Sequence, residues 1–83
     1  MDIHVDSLPM AGNAFRFSVR EGVGNTLIEV YVDSKLIHAH DCDDPPCHEM
    51  AMVPPRTRGA TLRVVATDTD ANTETLSLIS KES

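Results

Sequence analysis

The chain predicts an all-β antiparallel sandwich of about seven short strands, and three observations carry that expectation. Apolar and polar residues alternate with a period of two in several stretches, as half-buried strands require. Gly, Pro, Asn and Asp collect between those stretches at intervals of roughly 8–12 residues, the rhythm of a sandwich. No stretch sustains a 3.6-residue apolar period, so no helix is expected.

Taken in order, Ile3 and Val5 alternate with His4 and Asp6 as a short first strand. Pro9 and Gly12 then interrupt, because neither continues a ladder comfortably. From Ala14 to Arg20, Phe15, Phe17 and Val19 face in while Arg16, Ser18 and Arg20 face out. Glu21-Gly-Val-Gly-Asn25 turns the chain. The stretch Asn25–His38 organises the rest: Ile28, Val30 and Val32 point one way, Leu27, Glu29 and Tyr31 the other. It breaks at Asp33-Ser34-Lys35 and resumes as a strand over Leu36–His40. Asp41-Cys-Asp-Asp-Pro-Pro-Cys47 reads as a loop, since paired prolines exclude a central strand. His48–Val53 is expected as a strand with Met50 and Met52 inward. After Pro54–Gly59, Ala60–Thr67 is a strand with Leu62, Val64 and Ala66 inward. Asp68–Thr73 turns, and Glu74–Ser80 closes the fold with Leu76 and Leu78 inward.

Composition bounds the rest. The 83 residues make one small domain without repeat or linker. A domain of this size buries only about 60–65% of its unfolded surface, so a cross-link would help it. Trp is absent and there is one Tyr and two Phe, which leaves the core to Val, Ile, Leu and Met. A net charge of −6 repels phosphate backbones, so nucleic acid is not an expected partner. No apolar run reaches the ~18–20 residues of a membrane-spanning helix, and the first residues lack the basic head and apolar middle of a signal peptide. Two cysteines nevertheless suggest an oxidising compartment. The chain is therefore read as a piece of a longer exported protein, extracytoplasmic (periplasmic, cell-surface or secreted). The alternative is a whole cytosolic protein with reduced thiols.

Two blocks carry a family resemblance. Ile28-Glu-Val-Tyr-Val-Asp-Ser-Lys-Leu-Ile37 and Gly59-Ala-Thr-Leu-Arg-Val-Val-Ala-Thr-Asp-Thr-Asp-Ala-Asn-Thr73 resemble the bacterial immunoglobulin-like domains. Their pattern runs VELYVDG, a variable middle, then G-x-x-L-x-V-x-A-x-D-x-x-G-N. The resemblance covers most of the chain from Ala14 onward. It implies an immunoglobulin-like sandwich and a module that recurs in tandem in surface adhesins and beside secreted catalytic domains, usually without catalytic residues. The chain departs from the pattern twice. Ser34 replaces the turn glycine, so Asp33 or Ser34 bears a positive φ or the turn type differs. Ala71 replaces the glycine before Asn72, which makes Asn72 the expected left-handed residue.

Chemistry-bearing residues concentrate between His38 and Met52. A Cys42–Cys47 disulfide would close a short loop and contribute about 2 kcal/mol. The sharper reading is a metal site. His38 and His40 share a strand face, the cysteines would bring His48 near them, and Met50 or Met52 follows. Imidazoles with a thioether suit copper, and imidazoles with thiolates suit zinc. Inward methionines otherwise fill core gaps. A widened haem-attachment motif and a thioredoxin-type pair are both poor fits to Cys-x4-Cys. Asp68, Asp70 and Asn72 place oxygens at alternate positions, as calcium loops do, though without the loop glycine or distal Glu; Asx turns explain them equally well. Arg56, Arg58, Arg63 and Arg16 are the only basic cluster expected. No nucleophile elbow accompanies the scattered Ser, His and Asp.

These residues give three functional expectations. The first is a non-catalytic spacer, adhesion or docking module, partnered by other domains of its own chain or by another protein and needing no cofactor. The second is a copper or zinc module built on residues 38–52, with calcium at the Asp68 turn a separate candidate. The third is a carbohydrate-binding accessory domain, weakened by the shortage of aromatic platforms.

Overall fold

The computed structural model describes residues 1–57 and 59–81. Seven strands follow one another: β1 (Asp2–Val5), β2 (Ala14–Arg20), β3 (Thr26–Val32), β4 (Lys35–Cys42), β5 (Cys47–Met52), β6 (Thr61–Thr67) and β7 (Thr73–Ile79). They form an antiparallel sheet of three, ordered β1-β2-β5, and one of four, ordered β4-β3-β6-β7. The two sheets pack as an immunoglobulin-like sandwich and do not close into a barrel.

The alternation predicts the interior well. Phe15, Phe17 and Val19 from β2, Ile28, Val30 and Val32 from β3, and Leu62, Val64 and Ala66 from β6 are all buried in one cluster. β3 and β6 lie in the middle of their sheet, with Val30 opposite Val64. Burying their apolar face is what specifies the register, since a slip of one residue would turn every such side chain to water. Phe15 and Phe17 stack with centroids 5.3 Å apart. Leu76 and Leu78 are half-buried, as befits an edge strand.

Each hairpin sends the chain from one end of the body to the other. At the first pole, Thr69 N donates to Val23 O at 3.2 Å, and Gly22 lies beside Pro45. That pole therefore gathers the β2–β3, β4–β5 and β6–β7 loops, and β1 begins there, because Asp2 pairs with Arg20. Gly24 (φ 66°) approaches Thr69 so closely that a Cβ would sit 2.9 Å from its Oγ1. At the second pole, Gly12 N donates to Val53 O at 2.9 Å and Asp33 N to Thr61 O at 2.8 Å. Lys81 leaves from this pole, bridged to Met10 as a parallel pair. The body measures 36 × 22 × 15 Å.

Four expectations need correction. Met50 and Met52 point outward, and Glu49, Ala51 and Val53 take the inner positions of the β5 segment. β4 runs on to Cys42, two residues past the expected end. The left-handed residue of the β6–β7 turn is Ala71 (φ 62°), not Asn72, while Asp33 (φ 53°) bears the positive φ of the β3–β4 turn. The arginines do not cluster: Arg16 pairs with Met50 on the outside of the three-stranded sheet, and Arg63 pairs with Tyr31 on the outside of the other. Arg58 lies outside the described residues.

Candidate functional site

The disulfide decides where the reactive side chains of residues 38–52 go. Cys42 ends β4 opposite the buried Thr26, and is itself buried. Its bond to Cys47 pulls the first residue of β5 to the same interior side. Alternation then sends Glu49, Ala51 and Val53 inward and His48, Met50 and Met52 outward.

Glu49 therefore enters the seam where the edge strands β4 and β5 of the two sheets meet. His38 and His40 reach it from the inner face of β4, across from Val30 and Ile28. His38 Nε2 lies 2.9 Å from Glu49 Oε1, and His40 Nδ1 lies 2.9 Å from Oε2. A ring carrying its proton at that nitrogen, His38 Nε2 or His40 Nδ1, donates to the facing carboxylate oxygen. The Glu49 side chain is only 4% exposed, whereas the two imidazoles are partly open to solvent. A buried carboxylate is tolerated where its lone pairs are satisfied. Two imidazoles meet that condition here and tie one sheet to the other.

His48 and Met50, grouped by the sequence with His38 and His40, stand on the opposite side of β5. They border an open depression of ≈ 270 Å³ lined also by Asp6, Arg16 and the backbone neighbours Phe17 and Glu49. Beneath this surface Ser18 lies between His4 on β1 and His48 on β5 in register. It is 1% exposed, and its Oγ has no hydrogen-bond partner among the described residues. His4 Nε2 sits 3.6 Å from Asp6 Oδ1.

The Asp68–Asn72 turn uses its oxygens internally. Asp68 Oδ1 accepts from Asp70 N at 3.0 Å and Asn72 N at 2.9 Å. Oδ2 accepts from Val23 N at 3.2 Å and Asn72 Nδ2 at 3.2 Å. Burial pushes this carboxyl up, but the hydrogen bonds from Asn72, Val23 and Asp70 outweigh it and hold the group below the usual aspartate range. The residues named as calcium ligands are thus the frame of a turn that binds the β2–β3 loop. Asp70 and Asn72 side chains face solvent. Among the described residues no group of three or more His, Cys, Asp or Glu is arranged to hold a metal ion.

On the outside of the four-stranded sheet, Arg63 places its guanidinium 4.7 Å from the Tyr31 ring centroid, and Tyr31 donates to Glu29 Oε2 at 2.8 Å. That hydrogen bond, with burial and the Glu29 charge, raises the Tyr31 hydroxyl above the ordinary phenol value, against a smaller lowering by Arg63. One face of the single tyrosine is occupied by the guanidinium, which leaves less of it for stacking a sugar.

Sequence reasoning missed Glu49. The signal was present: once Cys42 and Cys47 are joined and Cys42 is placed inward by its strand, parity puts residue 49 inside. Neither a protein family, nor a curated protein, nor a solved structure matches this chain.

Proposed function

We propose that the chain is a non-catalytic immunoglobulin-like module, an in-line spacer or docking unit of an exported bacterial protein. One observation carries the reading: β1 starts at one pole and Lys81 leaves at the other, along the 36 Å axis. A unit of this topology extends whatever it is joined to, without doubling the path back. The disulfide supports the exported setting, since such bonds persist in oxidising compartments. Its tightest polar groups support it too. The Glu49 clamp and the Asp68 turn spend their charge on joining sheets and loops.

Small-angle scattering of two copies fused head to tail tests the reading. The expected maximum dimension is close to twice the 36 Å long axis. A particle no longer than one copy, with the units folded side by side, would overturn it.

A further inference from the structure

We propose that the two poles are complementary docking surfaces: a second copy of the chain, joined in line, seats its first pole on the second pole of the copy before it. The charges divide between the ends. The first-pole loops, residues 21–25, 43–46 and 68–72, hold no Lys, Arg or His. Glu21, Asp43, Asp44 and Asp70 stand exposed on them, and Arg20 at the end of β2 has Asp2 opposite it in register. The second pole carries the cations Lys35, Arg56 and Lys81, all exposed. Asp33 Oδ1 accepts there from Thr61 N at 3.1 Å, and Asp6 sits beside His4.

Exposed apolar side chains gather at the second pole too. Leu8 and Met10 lie in the β1–β2 loop, Leu36 near the start of β4, and Met52 and Ile79 at the ends of β5 and β7. Apolar groups left open to water at one end, and mixed there with charge, mark an interaction surface. The first pole offers Val23 at its tip, 49% exposed. The backbone of Val23 is held on both sides: its N donates to Asp68 Oδ2 at 3.2 Å, and its O accepts from Thr69 N and Oγ1. A knob fixed before contact loses little freedom on docking. Like charge keeps one first pole from pairing with another, so the contact is heterologous, head to tail. It is also small. An end face bounded by 22 × 15 Å offers roughly 300 Å² per copy, against about 800 Å² in a stable interface. Free copies therefore stay apart, whereas joined copies meet at an effective concentration on the order of mM. The docking thus rests on the in-line reading of the chain, and it makes the junction between two such modules stiff.

The test is a head-to-tail fusion of two full chains, with only the second copy isotope-labelled for NMR and the single chain as reference. At low salt the Val23 methyls and the amides of residues 43–44 and 69–71 in the second copy are expected to shift from their single-chain positions. Sodium chloride at about 0.5 M should reduce these shifts at least about twofold. Asp43→Lys/Asp44→Lys in the second copy, or Lys35→Glu/Lys81→Glu in the first, should each reduce them by a similar factor, and combining the two reversals should restore them. These side chains are exposed, and a native amide spectrum verifies the fold of each variant. Unshifted Val23 methyls in an extended particle would overturn the docking and leave the in-line reading standing. Shifts along β1 or β7 instead, in a particle no longer than one copy, would overturn both. Shifts that ignore salt and both reversals would refute the charge-matched contact.

Discussion

At Ala71 the backbone holds a φ of 62°, a conformation that costs an L-residue roughly 1–2 kcal/mol relative to glycine. Glycine loses more freedom on folding, which offsets part of the gain. Ala71→Gly should therefore stabilise the domain by about 0.5–1 kcal/mol and raise its Tm by roughly 2–8 °C. Thermal denaturation that finds the variant no more stable than the parent would refute this. The neighbouring Asn72 tolerates a left-handed backbone better than alanine does, so the sequence points to the wrong residue. What decides is Asp68, whose carboxylate captures both the Asn72 N–H and its side-chain amide and leaves Ala71 to make the bend. The same carboxylate predicts a pH dependence. Its folded value is lowered, so its contribution is complete above the unfolded aspartate value of about 3.9. The contribution is lost as the pH falls from there through the lower folded value. Asp68→Asn should be less stable than the parent at neutral pH and show a shallower loss of stability below about pH 4. Parallel acid-denaturation curves for the two proteins would contradict it.

Among the elements, β2, β3 and β6 were legible because in each one phase gathers the apolar side chains, broken only by Thr26 at the start of β3, and the other phase carries every charged residue, so only one phase buries the core. β5 was not. Its segment offers apolar residues in both phases, Met50 and Met52 in one, Ala51 and Val53 in the other, and larger side chains argue for the wrong one. The crosslink breaks the tie by holding Cys47 beside the buried Cys42. The same shift of phase converts a supposed four-ligand copper or zinc set into a clamp on one side and an exposed His-Met-Met row on the other. The clamp is the only place where side-chain hydrogen bonds join β4 to β5 among those described. Glu49→Ala should cost about 2 kcal/mol, the range for a hydrogen-bonded charge, read from a lower denaturation midpoint at unchanged m. An unaltered midpoint would mean that the imidazoles contribute nothing to the seam.

At the scale of the whole molecule, the two-layer architecture and its approximate seven strands could be read from periodicity and turn spacing alone. The partition into three and four strands could not, because whether β5 pairs with β4 or crosses to the other layer depends on contacts distant in sequence. β5 pairs with β2, with Ser18 opposite His48 and Phe15 opposite Ala51. That crossing opens the seam that Glu49 fills and leaves His48, Met50 and Met52 on the outer face of β5.

The placement of the ends has a mechanical consequence. Tension applied through Met1 and Lys81 would run parallel to the strands, drawing β1 past β2 and β7 past β6. The ladder bonds of Asp2–Val5 with Phe17–Arg20, and of Thr73–Ile79 with Thr61–Thr67, would then bear the load side by side rather than tearing one after another. The bonds Lys81 makes to Pro9 and Ala11 lie across that path and would add resistance at the exit. Pulled lengthwise, the domain resists as a shear joint does.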